Sequence, residues 1–352
     1  MSHRCHRGCA ILPPDLLRRI ARNGTSNQRN AALDTLAVDH TLRLGRATFE
    51  LLGRAARADV FPLAAADRRR TIYDARHGES LPGRAVRSEG APALADVEVN
   101  EAYDGLGATF DFYADVYDRN SIDDAGLPLD ASVHYGRRYD NAFWNGAQMV
   151  FGDGDGDLFN RFTISLDVIG HELTHGVTGD EAKLVYLGQA GALNESISDV
   201  FGSLVKQYAR KQTAAQADWL IGEGLFTARV HGMALRSMKA PGTAYDDPVL
   251  GRDPQPATMA GYVHTSADDG GVHTNSGIPN HAFYLAAIAL GGYAWEKAGR
   301  IWYETLRDKR MKPTATFRQF ARLTAQNAAY LFGNAEQQAV TAAWAEVGLK
   351  TT

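Results

Sequence analysis

The chain is expected to adopt an α+β fold, with a β-rich half followed by an α-helical half and a helical arm ahead of both. Three observations lead there. Residues 71–162 alternate short apolar runs with clusters of Gly, Asp and Asn, the punctuation of strands and turns. From Thr163 onward, apolar residues recur at helical spacing. Residues 1–70 differ from both parts in composition, with 13 Arg, no Lys and 6 acidic residues.

The elements follow in order. After Pro13-Pro14, Asp15–Asn23 should form a short helix closed by Gly24, because Pro suits the first helical position and Gly the position just past the end. Thr25 or Ser26 can cap a second helix from about Asn27 to Arg57, with Leu33, Leu36, Leu44, Phe49 and Leu52 as its apolar stripe. Residues 1–57 are therefore read as a helical segment, and residues 58–70, which include Pro62, as a linker. Residues 71–185 form the β-rich domain, with Asn100–Tyr117 as a helix despite Gly105 and Gly107. Phe151–Asp157 (FGDGDGD) reads as a turn; its acidic spacing suggests calcium, but the distal Glu of an EF-hand loop is missing. Ser165–Val177 and Ala190–Lys211 are expected helices. Residues 186–352 form the helical domain and include Ala294–Leu306 and Ala335–Val347.

Bulk properties exclude several classes. The net charge of −4 argues against a general nucleic-acid binder. The arm carries +7 and the rest −11, so a basic leader could dock electrostatically on an acidic body. Cys5 and Cys9 are the only cysteines, which leaves the main body without a disulfide framework. No apolar stretch approaches the ~20 residues of a membrane span. Ala10–Leu12 runs straight into Pro13-Pro14, so no Sec-type signal is expected and the route of any export stays open.

The chemistry centres on His171-Glu172-Leu173-Thr174-His175, an H-E-x-x-H motif. On a helix, residues four apart share a face, so both imidazoles can reach one zinc while Glu172 sits beside it. Catalytic zinc commonly takes a third protein ligand, and Glu195 lies 20 residues beyond His175, enough for a turn and a returning helix. Asp199 falls four residues after Glu195 and could accept the second imidazole N–H of His171. Leu193, Ile197, Val200, Phe201 and Leu204 make that helix apolar, and carboxylates buried with them need partners such as a metal.

H-E-L-T-H followed by Gly191-Ala192-Leu193-Asn194-Glu195-Ser196-Ile197-Ser198-Asp199 resembles the thermolysin family of zinc metallopeptidases. Asn141–Gly146 (NAFWNG), Leu235-Arg236-Ser237-Met238 and Gly270–Gly277 (GGVHTNSG) extend the resemblance over roughly Arg70–Leu349. It implies two domains with a zinc cleft between them, one zinc per chain, and endopeptidase activity on protein and peptide substrates. Glu172 would be the general base. His273 and Tyr186 would stabilise the tetrahedral intermediate, with Asp268 orienting His273. Arg236 would face the substrate carbonyl, and Asn141 and Ala142 would pair with the substrate backbone. Phe159, Phe162, Val168, Ile221, Leu225 and Leu235 fall on or near pocket positions, which implies a large apolar residue just after the scissile bond.

The sequence departs from the family at its paired-calcium site. Asp167, Asp218 and Glu223 are present, but Lys206 and Leu220 stand at ligand positions. Calcium dependence is therefore doubtful, and Lys206 is expected to replace the ion with a salt-bridge cluster. The stretch between Leu81 and Asn100 is also too short for the family's other calcium loop. Ile11–Leu17 (ILPPDLL) resembles the short pro-segment of protealysin-like members, which implies a zymogen whose cleft is masked by Pro13 and Pro14. Cys5 or Cys9 could instead cap the zinc, or His3, Cys5, His6 and Cys9 could hold a metal of their own. An aminopeptidase is disfavoured because no motif for a substrate amine is seen. A silent, protein-binding relative is disfavoured because Glu172 and His273 are both present.

Overall fold

The computed structural model describes residues 9–52 and 67–351. Residues 1–8, with His3, Cys5 and His6, lie outside them, as do the Cys9 side chain and residues 53–66, most of the expected linker. The arm comprises a two-residue strand β1 (Cys9–Ala10), α1 (Pro14–Asn23) and α2 (Ser26–Leu52). α1 has Pro at its first position, as its fixed φ favours, but Gly24 is not left-handed (φ −76°). Glycine is required there for space, because a Cβ would lie 2.7 Å from the Ile20 carbonyl oxygen. Thr25 opens α2: its Oγ1 accepts from Gln28 N at 3.4 Å while Gln28 Oε1 accepts from Thr25 N at 2.8 Å, a reciprocal cap.

The first domain is a six-stranded sheet. Its strands are β2 (Arg70–Asp74), β3 (Arg84–Ser88), β4 (Leu129–Val133), β5 (Ala142–Trp144) and β6 (Gln148–Phe151), with β1 of the arm as the sixth. The order is β1-β5-β6-β4-β2-β3, parallel at β6-β4 and β4-β2 and antiparallel elsewhere. α3 (Val97–Tyr117) starts at Asp96, whose side chain accepts from Val99 N, and it packs on β2 and β4. Gly105, unfavourable in a helix interior, admits α4 (Leu166–Glu181): a Cβ would sit 2.3 Å from Ile169 Cδ1.

α5 (Gly188–Arg210) lies directly against α4, and small residues make this possible. A Cβ on Gly202 would fall 2.3 Å from Asp167 O and 2.9 Å from His171 N. The chain continues through two short β ribbons, β7 (Leu220–Ile221) with β8 (Arg236–Ser237) and β9 (Asp246–Asp247) with β10 (Gly251–Arg252). α6 (Asp268–Asn275) is kinked, with left-handed backbone at Asp269, Gly270 and Gly271. α7 (Gly277–Leu290), α8 (Ala298–Leu306), α9 (Phe317–Leu331) and α10 (Asn334–Glu346) complete the helical half. The architecture is thus α+β with a helical C-terminal domain. One continuous apolar core runs through both halves and takes in Ile11, Leu12, Leu16, Leu17 and Ile20 of the arm.

Candidate active site

α4 and α5 bring four functional side chains into one buried layer. His171 and His175 project from α4, one turn apart, with their Nε2 atoms 3.1 Å from each other. Glu195 on α5 faces both, with Oε2 3.5 Å from His171 Nε2 and Oε1 3.4 Å from His175 Nε2. Behind them, His171 Nδ1 meets Asp199 Oδ1 at 2.8 Å. His175 Nδ1 meets Asn194 Oδ1 at 2.8 Å and Ser198 Oγ at 3.1 Å. Each imidazole is thereby oriented from its Nδ1 side and turned with Nε2 inward.

Charge in this layer is strongly perturbed. Burial works against protonation of His171, but Asp199 and Glu195 overcome it and push its pKa up to about 9. Burial, reinforced by His171, pushes His175 down to about 4 despite Glu195. Burial would raise Glu195, yet His273, His175 and His171 hold it well below the usual carboxylate range. Two inward nitrogens and a carboxylate that compete for one proton form a donor set that fits a divalent cation, and N,N,O suits zinc. His171, Glu172 and His175 also offer ligand atoms within 4.8 Å of one another. Glu172 is placed differently from Glu195. Its Oε2 accepts from Trp144 N at 3.0 Å, its Oε1 has no hydrogen-bond partner among the described residues, and burial pushes it up to about 8.

The far wall comes from α6, Tyr186 and β8. His273 Nδ1 lies 2.8 Å from Asp268 Oδ1, and its backbone N–H donates to Asp268 Oδ2 at 3.0 Å. Burial opposes protonation of His273, but Asp268 and Glu195 raise its pKa. Tyr186 OH donates to Glu195 Oε1 and lies 3.4 Å from His273 Nε2. Arg236 makes two bonds to Asp199, at 2.9 and 2.8 Å, and Asn280 Nδ2 adds a third at 2.8 Å. Phe159, Phe162, Val168, Ile221, Leu225 and Leu235 are all buried in the main core, and Leu235 lines a cavity with Arg236 and His273.

The arm lies against these same groups through several of its residues. Pro13 lines a cavity with His273, Leu235 and Arg236, and Pro14 starts α1. The residues before them fill the groove. β1 pairs antiparallel with β5, Ala10 opposite Phe143. Ala10 O lies 3.1 Å from His273 Nε2, and Ile11 O accepts from Arg236 Nη1 at 3.2 Å. Ile11 N donates to Ala142 O at 3.1 Å, and Leu12 N to Asn141 Oδ1 at 2.9 Å. The prolines are unsuited to this task because proline has no N–H to donate. α2 adds Asp39, buried, whose carboxylate accepts from Tyr139 OH at 2.7 Å and Asn141 Nδ2 at 2.8 Å.

Among the described arginines of residues 1–70, Arg68 pairs with Asp111 at 2.9 Å and Arg70 with Glu89 at 2.5 Å, whereas those of α1 do not meet acidic side chains of the body. Arg19 reaches the carbonyl oxygens of Arg252 (2.8 Å) and Leu250 (3.5 Å), and Arg18 pairs within the arm with Asp15. Elsewhere, Lys206 Nζ lies 2.8 Å from Asp167 Oδ2, from Asp218 Oδ1 and from Leu220 O. Arg210 bridges Asp218 and Glu223 at 3.3 Å each. In the FGDGDGD turn, Asp155 Oδ1 accepts from the backbone N–H groups of Asp157, Leu158 and Phe159.

Sequence reasoning passed over Asn194, Ser198, Asn280, Asp39 and the backbone N–H of Trp144. Asn194 and Ser198 carried a usable signal, since they repeat the four-residue spacing of Glu195 and Asp199 one position earlier. The others left none.

Comparison with known proteins places these features. The family described as thermolysin metallopeptidase, catalytic domain, matches residues 48–179, and the thermolysin metallopeptidase alpha-helical domain matches residues 182–349. The chain is 55% identical over 342 residues to the extracellular metalloprotease of Pectobacterium carotovorum subsp. carotovorum, covering 97% of this chain and 96% of that protein. It is 49% identical to protease PrtS of Photorhabdus sp. (strain Az29), covering 97% and 92%. Among solved structures it resembles the precursor of protealysin, a metalloproteinase from Serratia proteamaculans, with 56% identity and a TM-score of 0.89 over 97% of this chain and 99% of that one.

Proposed function

The chain belongs to the thermolysin family of metallopeptidases, and from that premise we propose a mechanism, a specificity and a zymogen state for it. The observation that carries the reading is the convergence of His171 Nε2, His175 Nε2 and the Glu195 carboxylate. These three would hold zinc. Zinc there supplies Lewis acidity, which polarises a peptide carbonyl and makes water a stronger acid.

The remaining work falls to side chains. Glu172, anchored at Oε2 by Trp144 N, takes the water's proton at its free Oε1 and passes it to the leaving amine. His273 and Tyr186 donate to the oxyanion, and Asp268 orients the imidazole and favours its protonated form. Arg236 donates to a substrate carbonyl as it does here to Ile11 O, while Asn141 and Ala142 accept substrate N–H groups as they do here from Leu12 and Ile11. The apolar side chains from Phe159 to Leu235 favour cleavage on the N-terminal side of large apolar residues.

With residues 9–12 making those same contacts, the full chain is the inactive precursor and loss of the arm activates it. Its relative's name supports action outside the cell, and no helix among the described residues is long and apolar enough to cross a membrane. Calcium at Asp167 and Asp218 is not required, because Lys206 supplies the positive charge. The test is a comparison of the arm-free enzyme with its Glu172→Gln variant. Both should retain one zinc at the His–Glu centre, while peptide hydrolysis falls by ~10²–10⁴-fold in the variant. Equal activity would remove Glu172 from the mechanism.

A further inference from the structure

A second group of ligand-type side chains lies where α3 begins. His134, just after β4, has Nδ1 3.0 Å from Asp153 Oδ1 and Nε2 3.0 Å from Asp96 Oδ2. His77 Nδ1 lies 3.3 Å from the other oxygen of Asp153, and its ring meets His134 edge-on at 5.6 Å. Asp96, Glu98 and His134 offer ligand atoms within 4.8 Å of one another, as do His171, Glu172 and His175. Unlike the catalytic group, all three are partly exposed, so an ion has a way in.

We propose that Asp96, Glu98 and His134 form a second divalent-cation site, selective for zinc-class ions. Three features support it. Asp153 holds His134 from Nδ1 and leaves Nε2 aimed at the carboxylate pair, the arrangement by which a carboxylate orients a metal-binding imidazole. The carboxylates of Asp96 and Glu98 lie in one cluster with His134, all within 4.8 Å, which brings two negative charges together. A dication answers that repulsion better than the single proton on His134. The donor set, one imidazole and two carboxylates, suits zinc or manganese, whereas calcium prefers six to eight oxygens. The α3 N-terminus opposes a cation with roughly half a unit charge, less than either carboxylate contributes. An ion there would tie the start of α3 to the end of β4.

The test uses the full chain carrying Glu172→Gln, so that it keeps its arm. The protein is loaded with one equivalent of zinc, then titrated with zinc chloride by calorimetry at neutral pH, with metal content measured after desalting. A second equivalent is expected, accompanied by a rise in thermal midpoint. His134→Asn and Glu98→Gln should each weaken that second step by at least ~10-fold and leave the first intact. Asn is chosen because His134 has φ 54°, a left-handed conformation that Asn tolerates. A parent chain that stops at one zinc, or variants that still bind the second equally well, overturns the proposal.

Discussion

Glu195 and Asp199 stand one helical turn apart on α5, and Asn194 and Ser198 repeat that step one residue earlier. Asp199 orients His171, Asn194 and Ser198 orient His175, and Glu195 faces both. This part of the site was legible because both helices are regular, so spacing alone assigns faces. Trp144 N on Glu172 and Asn280 on Asp199 were not legible: a backbone N–H has no residue identity, and Asn280 meets Asp199 across 81 positions. His273 is the residue whose role is most exposed to measurement. It touches Asp268, Tyr186 and Ala10 O, and it is distinct from the inferred ligands. In the arm-free enzyme, His273→Ala should lower kcat by ~10²–10³-fold with zinc content unchanged. Single-turnover hydrolysis with parallel metal analysis checks this, and an unaltered kcat would assign the oxyanion contacts elsewhere.

Among elements, α4 and α5 matter most, and their union is achieved in two ways. Gly202 allows backbone contact at the level of His171, while Lys206, one turn further along α5, ties Asp167 of α4 to Asp218 and Leu220. Burial opposes the Lys206 charge, but Asp167 and Asp218 raise its pKa above the usual lysine value. A buried ammonium paired this way would compete with a calcium ion for the same oxygens. Calcium should therefore leave the unfolding midpoint of the parent chain unchanged. Lys206→Ala should cost ~3–5 kcal/mol, because it strands Asp167 in the core. Calcium should then recover part of that loss. Urea unfolding with and without calcium reads both outcomes, and a calcium-dependent gain in the parent would contradict the replacement. The lysine was visible in the sequence against the resemblance, whereas the glycine contact was not, since its meaning depends on what lies opposite.

At the scale of the whole molecule, the arm occupies the groups proposed above for substrate recognition. β1 extends the sheet at β5, and Ile11 and Leu12 enter the common core. The sequence pointed to a masked cleft through the conspicuous Pro13-Pro14, and Pro13 lines a cavity with His273 and Arg236; the backbone bonds of Ala10, Ile11 and Leu12 were not legible because they carry no side-chain signature. α2 strengthens the block through Asp39, whose two partners lie about a hundred positions away in the chain, beyond any periodic pattern. Asp39 is buried, and its carboxylate accepts from two donors, Tyr139 OH and Asn141 Nδ2. In Asp39→Asn one acceptor oxygen becomes an NH₂ facing one of those donors. A hydrogen bond to a charged group contributes ~1.5–3 kcal/mol, so the open arm should become about 10- to 100-fold more populated. Activation of the full chain, followed by peptide hydrolysis and N-terminal sequencing over time, should accelerate accordingly. The mature enzyme, which no longer contains Asp39, should have the same kcat/KM from either precursor. Unchanged activation kinetics in Asp39→Asn would mean that β1 alone sets the lifetime of the closed state.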